Sequence, residues 1–304
     1  MNGSNVIFRR LKMIKRFAFV IFLLAAPCLL CAQERTVAPT WLHRNVASVP
    51  VKSSDITTPS CHYKPLFGAG DSETGIVRSV ARFGEADLDA GGHCKEVSYP
   101  AEEQIYYVLS GIGTVSYGGK KSSVKKDDFM YFPPQVRHGL ANTSSSPLRF
   151  VVMGFNIPHG VTVPAPPSEL QIANANDVGL EFVSGHPKST QFRLLIGGSK
   201  ATRDKIDCAT VVTSLFLMEF TPGGTNFPHH HDKAEEIYLI LDGHGNIVAG
   251  GGKNGIEGLH PSGPGDAYFF RLNSTVGFYN TGKTRAHILA VRSWYPFRQR
   301  GYGN

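Results

Sequence analysis

Short runs of β-branched and aromatic residues recur along the chain between glycine, proline and aspartate punctuation. They read GTVSYGG, DDFMYFPP and LRFVVMGF, then TSLFLMEF, DAYFFRL, VGFYNTG and HILAVRSWY. Runs this short, separated by turn residues this regularly, predict an all-β sandwich or barrel. Helical patterning is scarce. The best helix candidate is PSELQIANAND (167–177), directly after the proline-rich segment IPHGVTVPAPP (157–167). That segment reads as a linker stiffened by proline, which places a domain boundary near 160–180.

The pattern repeats. AEEQIYYVLSGIG (101–113) and AEEIYLILDGHG (234–245) share an acidic pair, an aromatic strand and a closing Gly-x-Gly. Aligned on glycines, Gly91 matches Gly223, Gln104 matches Glu236 and Gly111 matches Gly243, each 132 positions apart. A second block follows in both halves: PPQVRHGLAN (133–142) corresponds to RLNSTVGFYN (271–280), with Asn142 matching Asn280 at 138. The six extra positions belong to a longer glycine-rich hairpin in the second copy, NIVAGGGKNGIEGLHPSGPG. Two copies of one β-domain are the economical reading.

Gly223-x5-His229-x-His231-x4-Glu236-x6-Gly243, followed by Gly265-Asp266 and a strand closing on Asn280, resembles the two conserved-sequence blocks of the cupin superfamily. The first half follows the same outline through Gly91, Gly111, Pro133, His138 and Asn142. The resemblance implies an all-β protein of two tandem cupin barrels (double-stranded β-helices), a bicupin. The expected division is a signal peptide at 1–32, an N-terminal extension at 33–69 and a first barrel at 70–160 with most metal ligands lost. A connecting segment at 161–204 and a second barrel at 205–304 with a metal site follow.

Strand parity puts His229 and His231 on one face and His230 on the other. Glu236, five residues beyond His231, has the wrong parity for an unbroken strand, so a turn at Asp232-Lys233 must return the carboxylate from the next strand. The alternative is a solvated histidine loop. The glycine and glutamate spacing favours a ligand set of His229, His231 and Glu236. Glu235, of opposite parity, is expected in solvent. The fourth histidine that the resemblance implies is replaced by Val276, which leaves two imidazoles and one carboxylate around open positions. Such a triad suits one divalent transition metal, with Fe and Mn ahead of Zn, Ni and Cu.

Tyr238, Phe278 and Asn280 share inward parity, and Tyr268 lies on the strand after Gly265-Asp266. With Val276, and with Arg271 at the barrel mouth, they form the expected substrate pocket. His244 and His260 are weaker candidates in the long hairpin. At the matching positions the first half carries Val97, Tyr99, Gln104 and His138, a poor metal set. There His138 is expected as a hydrogen-bonded interior histidine, with Tyr99 and Gln104 as the other residues of a second site. The expected function is metal-dependent chemistry on a small oxygenated molecule or sugar acid: oxygenation first, then decarboxylation, lyase or isomerase chemistry. The alternative is a non-catalytic bicupin that binds a sugar or small molecule.

Composition changes the picture in two places. Residues 9–16 are basic and 17–32 apolar, as in a secretory signal peptide, which implies a secreted or periplasmic protein with no membrane attachment after cleavage. The formal charge of +7 is largely that leader; without it 26 Lys+Arg stand against 24 Asp+Glu, and no basic cluster points to nucleic acid. Past the leader remain Cys61, Cys94 and Cys208, enough for one disulfide and one free thiol, with the pairing open. Exposed strand edges make a homo-oligomer an expected assembly.

Overall fold

The computed structural model describes residues 39–73, 75–250 and 257–295, so the leader lies outside the described residues. Within them the chain forms strands and one short 3-10 turn, and no helix is long and apolar enough to cross a membrane.

Two barrels follow one another, each made of a large and a small sheet. In the first, a six-stranded sheet holds Cys61–Gly68, Val80–Leu88, Leu148–Asn156, Glu102–Ser110, Asp128–Phe132 and Gln171–Asn174. Its partner sheet holds Ile112–Tyr117, Lys120–Lys125 and His138–Ala141. In the second, a seven-stranded sheet holds Trp41–Asn45, Asp266–Phe270, Ala234–Asp242, Ala286–Trp294, Val212–Phe220, Thr190–Gly198 and Ile206–Ala209. Opposite it lie His229–His230, Thr275–Asn280, Gly245–Ala249 and Gly258–Ser262.

The segments ahead of each barrel are exchanged. Trp41–Asn45 pairs with Asp266–Phe270 of the second barrel, and Gln171–Asn174 pairs with Asp128–Tyr131 of the first. This corrects the helix expected over 167–177. Gln171–Asn174 is an edge strand, and a 3-10 turn at Ala175–Asp177 follows it, with the Asn174 side chain accepting from the Asn176 N–H. Helix propensity is a weak prior, and an available sheet edge overrides it.

Strands of the two large sheets are apolar on both faces because each face is covered. Tyr106, Val108, Phe150 and Val152 fill the first barrel, while Phe216, Tyr238, Ile288 and Ala290 fill the second. The alternate residues Ile105, Val151, Leu215, Ile237, Phe269 and Leu289 share a third core in which the two sheets pack on each other. Double coverage produces the nearly continuous apolar runs of LRFVVMGF and TSLFLMEF.

Two glutamates cross that shared core. Glu235 is fully buried, which corrects its expected place in solvent. Its odd parity points it at the other barrel, where its carboxylate accepts from the Arg78 N–H (3.0 Å), the Ser79 N–H (2.7 Å) and the Ser79 hydroxyl (2.5 Å). Glu103, its repeat mate, accepts from the N–H groups of Thr210 (2.7 Å), Val211 (2.9 Å) and Val212 (2.7 Å) and from the Tyr131 hydroxyl (2.8 Å). Burial pushes both carboxyls up, opposed by the donors around them.

Cys61 and Cys94 form the disulfide, closing the start of the first barrel, and Cys208 is the free thiol. Burial pushes that thiol up to about 12, which favours the protonated form at neutral pH.

Candidate metal centre

The approach to the histidines is a tight turn. Phe227 adopts φ +54°, a left-handed backbone that bulky residues rarely take, and its N–H donates to the Thr225 hydroxyl (2.9 Å). The chain then pairs His229 with Val276 and His230 with Thr275, bends at Asp232-Lys233 and enters the strand Ala234–Asp242. His230 is exposed, whereas His229 and His231 turn toward the barrel.

The ring of His229 is fixed by a 2.8 Å hydrogen bond between its Nδ1 and the Phe227 carbonyl. A proton held on Nδ1 leaves the Nε2 lone pair for a ligand. The His229 and His231 rings stand edge to face, 4.9 Å apart at 83°. Glu236 is buried beneath them, and one ligand atom from each of the three residues lies within 4.8 Å of the others. Among the described residues this is the one such group of three.

His231 Nε2 and Glu236 Oε2 are 3.1 Å apart, yet neither makes a properly angled hydrogen bond. Buried polar atoms normally find partners, and two that lack one, within reach of a third ligand atom, suit a cation between them. The residues therefore fit a metal. Burial alone would raise the Glu236 carboxyl; His231, Arg292 and His229 outweigh it and hold the group below its ordinary value. Burial pushes the His229 imidazole down, which keeps it neutral and able to ligate.

A cavity of about 20 Å³ adjoins the triad, bounded by His186, His229, Glu236, Tyr238, Arg203 and Arg292 among apolar neighbours. That is room for one ion or one water, given that a single water needs ~10–15 Å³. A far larger cleft, about 730 Å³, runs between the barrels past Arg149, Glu85, Asp242 and His287 and contains none of the triad. Residues of both barrels line it. The convergent donor atoms mark the small cavity as the chemical one.

Of the expected pocket residues, Tyr238 lines the cavity, its hydroxyl accepting from Asn226 Nδ2 (3.0 Å). Val276 and Phe278 are buried in the apolar filling of the same barrel. Three others are corrected. Tyr268 is buried in that same filling but off the cavity lining: its hydroxyl pairs with Ser262 (2.8 Å) and its ring stacks on His43 at 4.6 Å. Asn280 is spent on backbone, its Nδ2 donating to the carbonyls of Phe220, Thr221 and Thr284 while its Oδ1 accepts from Gly282. Asn142 locks the matching turn of the first barrel in the same way. Arg271 lies at the turn after Asp266–Phe270, its N–H on the Thr40 carbonyl, and does not line the cavity. Neither His244 nor His260 lines it; His260 rests on Trp41 at 4.4 Å.

The cation beside the triad is Arg292 instead. It sits directly across from Glu236 in the sheet, Nε 3.4 Å from Glu236 Oε1, with its guanidinium 5.1 Å above the Phe216 ring. Its signal was parity, since Ala286, Ile288 and Ala290 face the same interior. His186 and Arg203 come from the loops on either side of the strand Thr190–Gly198, which have no periodicity to reveal them.

In the first barrel, His138 is buried and stacks on Phe132 (4.1 Å, 12°), with Nδ1 on the Val136 carbonyl and Nε2 without a partner. Burial pushes it down to about 4. The Tyr99 hydroxyl donates to Asp55 (2.8 Å) beneath the guanidinium of Arg82, and Gln104 Nε2 donates to Glu102 (2.5 Å). Val97 exchanges backbone hydrogen bonds with His138.

A family model described as the cupin domain matches residues 84–154 and 216–292. An uncharacterized protein of Methanocaldococcus jannaschii is 31% identical over 81 residues, which are 27% of this chain and 62% of that protein's length. Among solved structures, a Pseudomonas aeruginosa protein described as glyoxylate induced superposes with a TM-score of 0.66 at 14% identity, covering 84% of this chain and 90% of that one. Protein Ylba from E. coli gives 0.63 at 16% identity, with 85% and 93% covered. The formate complex of Lactobacillus farciminis oxalate decarboxylase gives 0.60 at 13%, with 83% and 86% covered.

Proposed function

Because the chain belongs to the cupin superfamily and folds as two tandem barrels, we propose that its C-terminal barrel is a metal-dependent enzyme site acting on a small oxygenated organic molecule. The observation that carries this reading is the convergence of His229, His231 and Glu236, with unpartnered buried atoms on two of them. Two imidazoles and one carboxylate favour Fe or Mn, and the absence of a fourth motif ligand at Val276 favours oxygenation. Decarboxylation is next, supported by the shared fold with an oxalate decarboxylase. When bound, the metal supplies a Lewis acid beside the substrate. The chain's own residues do the rest. The Phe227 carbonyl orients His229, Arg292 offsets the buried charge of Glu236, and Asn226 holds the Tyr238 hydroxyl in place. Phe192 and Phe216 keep water from the cavity walls.

Elemental analysis of the mature protein tests the reading. One equivalent of Fe or Mn, lost in Glu236→Ala, with O₂ uptake or CO₂ release on a panel of small acids, supports it. Metal-free wild-type protein would sink it. The closed cavity favours a second reading, a metal-holding binding module, and a metal-replete protein inert toward that panel selects it. The Cys61–Cys94 bridge supports maturation in an oxidising compartment, consistent with a cleaved leader.

A further inference from the structure

His186 does not belong to either repeated motif, yet it closes the cavity. The chain doubles back over the barrel mouth: Glu181 and Phe192 exchange two backbone hydrogen bonds, each 2.9 Å. The His186 N–H meets the Val183 carbonyl (3.1 Å) across Gly185, whose φ of +86° permits the reversal. The imidazole falls onto Phe192 at 4.9 Å and edge to face with His229 at 5.5 Å and 78°. Its Nδ1 pairs with the Asn226 carbonyl at 3.2 Å, the same device that orients His229. A proton held there leaves Nε2 as an acceptor. His186 stands outside the set of mutually close ligand atoms but lines the same cavity as His229 and Glu236.

Arg292 and Arg203 both line the cavity, matched in number by Glu236 and by Asp204, 3.5 Å from Arg203 Nε. A divalent ion added to this set leaves net positive charge, which selects an anion. The 20 Å³ available holds no organic acid, so the cover has to move. Its ends are anchored, Glu181 on Phe192 and Ser189 on Thr221 and Thr225, while the stretch between them carries the exposed Phe182 and docks through Val183 packing and the His186–Asn226 bond.

We propose that His186 is a substrate-contacting, specificity-determining residue carried on a cover, residues 181–189. The cover opens to admit a small carboxylate and closes with the His186 Nε2 lone pair on a hydroxyl or amide proton next to the acid group. The assignment rests on reading the C-terminal site as a metal centre. The test uses the full mature chain loaded with Co(II), whose visible spectrum reports both metal occupancy and acid binding. Glycolate is titrated against methoxyacetate, which has the same skeleton and no hydroxyl proton. In His186→Ala, glycolate affinity falls roughly five- to tenfold, the worth of one hydrogen bond, and methoxyacetate affinity stays within about twofold. His186→Gln, which keeps an acceptor, recovers part of the loss. Arg203→Ala weakens both acids alike. Equal loss of both acids in His186→Ala, or no loss of either, overturns the proposal. So does loss of Co(II), which would make His186 a ligand or a structural residue. Wild-type protein that takes up no Co(II) overturns the metal reading and this proposal with it.

Discussion

Where the C-terminal barrel carries His229, His231, Glu236 and Val276, the N-terminal barrel carries Val97, Tyr99, Gln104 and His138 at matching places in the repeat. The arginines differ as tellingly. Arg82 faces Gly154 across one pair of strands; in the second barrel Ser214 faces Arg292 across the corresponding pair. Each barrel thus sends one guanidinium to the same interior corner from opposite strands. Arg82 is tied to Asp55 (2.6 Å) and Glu102 (2.9 Å) and covers Tyr99. Among the described residues Arg292 has one carboxylate nearby, that of Glu236, and its Nε makes no hydrogen bond. One interior largely satisfies its charges with its own side chains; the other leaves neighbouring buried donors and acceptors without hydrogen bonds. The scaffold does not decide between these outcomes, and a few inward positions do.

The most drastic way to break the contrast is Glu236→Ala, which takes the C-terminal barrel from one bound equivalent of metal to none by elemental analysis. The converse triple change, Val97→His with Tyr99→His and Gln104→Glu, is expected to add a second equivalent. Next in size is the pair of crossing glutamates, where the two barrels are alike. Glu103→Ala and Glu235→Ala each strand several buried donors and cost about 3–5 kcal/mol in urea unfolding. Unequal losses would show that the interface is less symmetric than its hydrogen bonds.

His138 distinguishes the barrels by pH. Its folded value, about 4, lies below the 6.5 of an unhindered imidazole, so between these values the unfolded chain binds more protons than the folded one. Stability is therefore full above about pH 6.5 and declines as the pH falls toward 4, by roughly 3 kcal/mol. His138→Phe, which keeps the stack on Phe132, should remove that part of the acid sensitivity in unfolding curves at pH 4 and 7. The smallest expected effect is Asp55→Asn, about 1 kcal/mol or less because Asp55 is partly exposed. It loosens Arg82 toward the condition of Arg292.

Much of this was legible beforehand for physical reasons. Alternation in a strand assigns His229 and His231 to one side, and a turn restores the parity of Glu236. The repeat exposes the second barrel's mate at every step. What stayed hidden depends on contacts between parts remote in the chain. Glu235 reads as a surface charge until the other barrel covers it. Asn280 reads as a pocket residue until its amide is found on three carbonyls. His186 sits in a stretch without hydrophobic period, and only the fold brings it beside His229.

The exchanged edge strands and the reciprocal glutamates have one further implication. Trp41–Asn45 completes the barrel it does not directly precede, and Gln171–Asn174 does the same in return. This is how two subunits embrace in a twofold dimer, here written into a single polypeptide. In a true dimer every substitution strikes both copies at once. Fusion removes that constraint, so one half is free to fill its interior with tyrosine and amide while the other keeps its imidazoles, and neither loses its neighbour's support.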